Sequence, residues 1–412
     1  MHRLNKWSPV TRTLILLALL AGLLSFAKFE HCRSTGWATP DIYVHACYSD
    51  IPSLFSGRAL DNHQWAYNGG DNAVEYPVIT GTIMWATSWL VPSGENSIRN
   101  YFDVNILFIV LLLIGTVLIV GKIRPQFAYL LPLSPAVIAS LFINWDLWGI
   151  VSMLLAIYYF DRRRLRASSI LLAVSIATKF FPVLLLAPII FIFWRRNEIR
   201  AMGKYIITVT AIWFAINLPV MLTTPQGWWR FYKLNLDRGP DWGSIWYAFS
   251  LLGLNSKNLN YITILSLFAV LTAMMIYLLA LPRTPTLTEV SFIFLAGVLC
   301  VGKVYSPQYV LWLVPLAVIA LGNTRQLFGF WIWQVGEVIY HIAIWQHLAL
   351  VQGAHFGPPA GGYAIATLIR IATTLYFIAI LVRASLAERS PQAQDLHNRL
   401  VDFPFGTTTG YP

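Results

Sequence analysis

Four short stretches of this sequence hold the residues that could do chemistry. The longest runs Thr39-Pro40-Asp41-Ile42-Tyr43-Val44-His45-Ala46-Cys47-Tyr48-Ser49-Asp50-Ile51 and continues through Gly57-Arg58 to Val74-Glu75-Tyr76-Pro77. The second is Asn144-Trp145-Asp146, and the third joins Trp228-Trp229-Arg230-Phe231-Tyr232-Lys233-Leu234-Asn235 to Arg238-Gly239-Pro240-Asp241-Trp242. The fourth is Gly302-Lys303-Val304-Tyr305-Ser306-Pro307-Gln308-Tyr309. A carboxylate within reach of a hydroxyl can take its proton. A cation can offset the charge that builds on a phosphate leaving group. Aromatic rings mixed with Asn, Asp and Arg suit a sugar, although any single Trp among them serves equally as an anchor at a membrane interface. This inventory points to a substrate that bears hydroxyls and an anionic group.

The elements that must position these stretches are membrane helices. Of 412 residues, 57% are hydrophobic and 11% charged, and mean hydropathy is +0.61, whereas an ordinary soluble domain carries about 25% charged residues. That balance excludes soluble, disordered and fibrous classes. The apolar runs lack the alternating period of barrel strands, so an all-α polytopic bundle is expected. About twelve spans are read at 12–29, 104–121, 126–143, 147–160, 167–181, 183–194, 203–221, 261–281, 288–302, 308–322, 326–345 and 363–384. Residues 1–385 then form one membrane domain with outer loops 30–103 and 222–260, followed by a short cytoplasmic tail, 386–412. The apolar stretch 79–91 reads as an interfacial or re-entrant helix, with a thirteenth span as the alternative. Arg clusters flank the run 168–194 on both sides, so the chain is expected to turn back near Lys179-Phe180-Phe181-Pro182.

The formal charge of +11 raises nucleic acid as a partner, but its placement argues against that. Lys and Arg crowd one set of span ends, as in Arg162-Arg163-Arg164 and Arg195-Arg196. The excess is what an integral plasma-membrane protein with both termini cytoplasmic would carry. The four polar stretches then share the near-neutral, extracytoplasmic face. Cys32 and Cys47 fall in the first outer loop, where a disulfide is permitted, and Cys300 lies in a span. His31, His45 and His63 are scattered along that loop without metal-ligand spacing, so neither metal nor cofactor is expected. Glu337 and His341 are four apart on one helix face and are expected to touch.

At these residues the chain resembles the glycosyltransferase family 87 group of polyprenyl-phosphate-sugar-dependent transferases, whose best-known members are actinobacterial mannosyltransferases with the GT-C membrane fold. The resemblance covers most of residues 12–345. It rests on the first-loop acidic stretch ending in Glu75-Tyr76-Pro77, on Asn144-Trp145-Asp146, Lys179-Phe180-Phe181-Pro182 and Asn217-Leu218-Pro219, and on Ser306-Pro307-Gln308-Tyr309-Val310-Leu311-Trp312. It implies inverting transfer of a hexose, with mannose the family expectation, from a polyprenyl-phosphate sugar to a glycolipid or glycan. It further implies one first-loop aspartate as general base. Asp50 is the first choice and Asp41 the second. The leaving group would be a monophosphate, which calls for no divalent metal. Lys303 and Arg238, then Lys179 and Arg58, are the candidate phosphate cations, each serving equally well as an interfacial lipid contact. Glu75, Tyr76, Asn144, Asp146, Asn235, Asp241, Tyr305 and Gln308 are the candidate sugar and acceptor contacts. A transporter or flippase for a lipid-linked or small anionic solute is the competing class, and a noncatalytic membrane subunit is a third. A transporter would gather broken helices and polar groups near the midplane rather than at one face.

Overall fold

The computed structural model describes residues 8–254 and 258–387; the 386–412 tail expected from the sequence lies almost wholly outside them. All regular structure among the described residues is helical. Helix α1 (Pro9–Thr35) starts under Ser8, whose Oγ accepts from the Thr11 amide, with Pro at its first turn. Two short helices, α2 (Asp41–Val44) and α3 (Asp50–Gly57), follow, then α4 (Val78–Ser88) and the long α5 (Ser97–Ile123). Eleven residues make α4, a length of about 16 Å at 1.5 Å per residue. That is too short for a ~30 Å hydrocarbon core.

One expected span is absent as a continuous helix. Residues 126–143 form α6 (Leu130–Leu133) and α7 (Pro135–Ser140), interrupted at Ser134, which leaves the helix and caps α7. Pro132 and Pro135 account for the interruption, since each lacks an amide donor and disfavours helical geometry in the residue before it.

The chain continues through α8 (Asp146–Asp161), α9 (Leu165–Thr178), α10 (Leu186–Arg195) and α11 (Ile199–Thr223). The expected break is present: α9 ends at Thr178, Lys179 is extended, and a 3₁₀ turn over Phe181–Leu185 leads into α10. The stretch read as loop 222–260 instead carries α12 (Pro225–Asp237) and α13 (Ile245–Leu251). The last five helices are α14 (Leu259–Ala280), α15 (Leu287–Val301), α16 (Val310–Ala320), α17 (Leu327–Val351) and α18 (Ala360–Ala387).

Helices α1, α5, α11, α14, α17 and α18 are long and apolar enough to cross a membrane, and α9, α10, α15 and α16 are shorter apolar helices. The core sits around α16, which is apolar on all sides and buried from Val310 to Ile319. A helix of that kind belongs inside a bundle rather than on its surface. In contrast, α11 and α14 leave most of their apolar side chains partly or fully exposed, the pattern of lipid-facing helices. Packing pairs α1 with α5, α8 with α9, and α17 with α18.

Candidate active site

At one end of the bundle a cavity of about 390 Å³ draws residues from all the polar stretches except Asn144-Trp145-Asp146, whose Asp146 lies just beneath it. Asp50, Glu75, Tyr76, Lys179, Asn235, Arg238, Asp241 and Gln308 line it, and Asp41, Arg58, Asn144, Asp146, Lys303 and Tyr305 do not.

Asp50 opens α3, and its place is fixed from below. The Ser49 hydroxyl caps the helix by accepting from the Ile51 amide and itself donates to the Phe142 carbonyl at 2.7 Å. The Asp50 amide donates to the Ile143 carbonyl, also at 2.7 Å. The first loop is thereby tied to the segment just before α8. Each carboxylate oxygen of Asp50 accepts one phenol: Tyr48 reaches Oδ1 at 2.8 Å and Tyr76 reaches Oδ2 at 2.9 Å. Burial raises the Asp50 pKa above its ordinary value; the two phenols and the Lys179 ammonium pull it down, and the Asp146 charge pushes it up. The net direction is upward, which makes Asp50 a stronger base than a solvated carboxylate. Tyr48 stays a proton donor, because the Asp50 charge beside it, and then burial, raise its own pKa.

Beneath the cavity, Lys179 Nζ donates to Asp146 Oδ1 at 2.6 Å, with the Asp146 side chain only 1% exposed. Asn144 serves that carboxylate indirectly, its Oδ1 accepting from the Asp146 amide at the first turn of α8. Asp146 Oδ2 and Asn144 Nδ2 are both buried without a protein partner. Lys179 sits 4.9 Å from the centre of the Tyr76 ring and 5.8 Å from that of Tyr309. One ammonium thus serves two carboxylates, Asp146 by contact and Asp50 through space.

The other cations are held differently. Arg238 lines the cavity and pairs with Asp241 at 3.0 Å. Arg58 makes a two-pronged pair with Glu75, both contacts at 2.8 Å, so its charge is already matched. Lys303 donates to the Arg238 carbonyl at 3.2 Å and to Asn260. It braces the Arg238 segment from outside the cavity. The turn after Asp241 depends on Gly243 at φ +80°, where a Cβ would meet the Tyr305 carbonyl at 2.1 Å. The Gly243 amide donates to the Tyr363 hydroxyl at 2.8 Å.

Tyr305 turns into the bundle rather than toward the cavity. Its hydroxyl donates to Glu337 Oε1 at 3.1 Å, and its ring lies 3.5 Å from the Arg370 guanidinium. Glu337 and His341 share one buried face of α17, as expected, but their hydrogen bonds go to other partners. Glu337 accepts from Arg370 Nε at 2.9 Å and from the Trp333 indole at 3.1 Å, while His341 accepts from the Trp345 indole at 3.0 Å. Arg370 also donates to the Tyr305 and Ser306 carbonyls, fixing the segment that carries Gln308 and Tyr309.

An aromatic wall, none of it among the expected site residues, completes the cavity. Tyr43 stacks on Tyr48 with centroids 5.8 Å apart and on Trp345 at 6.2 Å, and all three line the cavity. The five-residue spacing of Tyr43 and Tyr48 beside an acid was visible; Trp345 was hidden at the end of a run read as a span. Comparison of the chain with known protein families and with curated proteins returns no match.

Proposed function

We propose that this chain is a membrane glycosyltransferase that moves a hexose from a polyprenyl-phosphate sugar to a glycolipid or glycan acceptor, with inversion. The observation that carries the reading is the placement of Asp50: a carboxylate held by two phenols in the wall of a polar cavity, with Arg238 and Lys179 lining the same cavity. The acceptor oxygen forms its bond to the anomeric carbon as the bond from that carbon to the phosphate oxygen breaks. The acceptor proton passes to Asp50, and the bonding pair leaves with the polyprenyl phosphate. Arg238 offsets the charge developing on that phosphate, and Lys179 adds a fixed positive field from below. Tyr43, Tyr48 and Trp345 offer a face for the sugar ring, and Asn235, Gln308 and Glu75 offer hydrogen-bonding groups in the lining. Mannose is the expectation carried over from the family resemblance.

We place the cavity on the extracytoplasmic face of the plasma membrane, with both termini inside; the six long helices and α9, α10, α15 and α16 supply ten crossings, and α8 with the broken α6–α7 stretch brings them to about twelve. The Cys32–Cys47 disulfide beside the cavity supports that side, since such bonds persist in oxidising compartments. Proteoliposomes holding the purified chain, labelled polyprenyl-phosphate mannose and a glycolipid acceptor test the reading. Formation of a labelled glycoside of inverted configuration is expected. Net movement of labelled donor across the bilayer with no glycoside would replace the transferase with a transporter.

A further inference from the structure

His31, Asp41 and His45, which the linear sequence separates, come together at the mouth of the first loop. His31 Nε2 lies 2.7 Å from Asp41 Oδ2, and His45 Nε2 lies 3.3 Å from Asp41 Oδ1. The two imidazoles stack with centroids 3.6 Å apart and planes 28° from parallel, and one ligand atom from each of the three residues falls within a 4.8 Å span. Donor atoms around a tetrahedral Zn²⁺, at roughly 2.0–2.1 Å from the metal, sit about 3.4 Å from one another. The two short contacts run to different Asp41 oxygens and the donor atoms span up to 4.8 Å, so drawing them onto one ion requires the stacked imidazoles to rotate until their in-plane lone pairs converge, a side-chain movement that these part-exposed positions permit.

We infer that this cluster is a binding site for a divalent transition-metal ion, with Zn²⁺ as the fitting occupant. Two imidazole nitrogens and one carboxylate oxygen form a donor set of borderline softness that favours Zn²⁺ over Mg²⁺ or Ca²⁺. The side chains of His31, Asp41 and His45 are 39%, 34% and 45% exposed, so an ion has an entry path and water can fill a fourth position. Thr35 Oγ1 donates to Asp41 Oδ2 at 3.2 Å and orients the carboxylate.

The backbone beneath the site is held independently of any ion. His31 lies in the last turns of α1 next to Cys32, and His45 lies two residues before Cys47, to which Cys32 is bonded. Asp41 and His45 are one turn apart along α2, where the His45 amide donates to the Asp41 carbonyl at 3.0 Å. Lys28 from α1 donates to the Ala46 carbonyl, and Gln346 from α17 donates to the Val44 carbonyl at 3.0 Å. Between the ligands Asp41 and His45 stands Tyr43, part of the cavity's aromatic wall. The ion would clip α2 to the end of α1 and so hold that wall. Asp41, the second choice for general base, thereby acquires a role outside the cavity.

Metal binding is read directly and does not depend on whether the cavity transfers a sugar. The full-length protein, purified without a polyhistidine tag and stripped with EDTA, is titrated with Zn²⁺ against a chromophoric chelator. One tightly held equivalent is expected, with a Tm that rises on Zn²⁺ addition and returns on chelation. The His31→Ala/His45→Ala variant should hold less than about a tenth of an equivalent, and His63→Ala should match the parent. X-ray absorption of the loaded parent should show two imidazole ligands, which keeps the test decisive if the double variant fails to fold. No stoichiometric Zn²⁺ on the parent, or binding undiminished in a folded double variant, overturns the site.

Discussion

Two clusters of buried charge lie in the same bundle and are built to opposite ends. Around Arg370, the guanidinium and the Glu337 carboxylate are 0% and 2% exposed. Glu337 accepts from Arg370, Tyr305 and Trp333, while Arg370 also donates to two backbone carbonyls and lies 4.2 Å from the centre of the Tyr340 ring. Around Lys179, one ammonium faces two carboxylates, Asp146 Oδ2 has no protein partner, and Asp50 stands in a cavity wall. The difference teaches how to separate structural from chemical charge in a membrane bundle. A sealed, satisfied pair specifies packing, whereas a pair left with spare charge beside a cavity can act on a ligand.

Substitutions that treat the two clusters alike should therefore fail in different ways. Asp50→Asn is expected to cut sugar transfer about 10³-fold, within the range of general-base loss. Its Tm should equal or exceed the parent's, because the burial that raises the Asp50 pKa penalises its charged form. Arg370→Met acts on the fold first, with about 3–5 kcal/mol of stability lost as Glu337 is left unpaired, and transfer falls only through the loosened Tyr305–Ser306 segment. Adding Glu337→Leu should restore much of that stability, as read by thermal melting in detergent. Lys179→Met should do both, lowering stability by about 3 kcal/mol because the buried Asp146 is left unpaired, and activity by about a hundredfold. Adding Asp146→Asn should recover the fold without recovering the activity. Arg238→Gln should raise the KM for the donor about tenfold with little change in Tm.

The smallest effect concerns pH. Transfer should rise with pH as Asp50 loses its proton, along a limb above the ordinary carboxylate value of about 4. Asp146→Asn removes a negative charge and leaves Lys179 undivided toward Asp50. Both changes favour the Asp50 carboxylate, so the limb moves to lower pH, by less than about one pH unit. A limb that moves upward would break the proposed coupling of the two carboxylates through Lys179.

Much of this was legible along the chain. Composition and apolar runs gave the all-helical membrane class, and the chain breaks at Lys179 where basic clusters on both flanks required it. Asp50, Arg238 and Gln308 do reach one cavity. What stayed hidden were partners supplied by other helices. Helical spacing paired Glu337 with His341 one turn away, but the stronger partner, Arg370, arrives from α18, 33 positions along the sequence. Tyr305, expected among the sugar and acceptor contacts, instead turns inward to the Glu337 carboxylate. Likewise, His31 and His45 show no ligand spacing in the sequence because the turn into α2 and the Cys32–Cys47 bond create it.

The reach of Arg370 has a consequence for how the protein is made. Every residue lining the cavity has been synthesised by Leu348, but the clamp on the Tyr305 and Ser306 carbonyls comes from α18, the last described helix to be synthesised. Biogenesis therefore finishes the site from its far end. A chain halted after α17 would contain every residue that lines the cavity without the Arg370 contacts that hold the Tyr305–Ser306 segment in place.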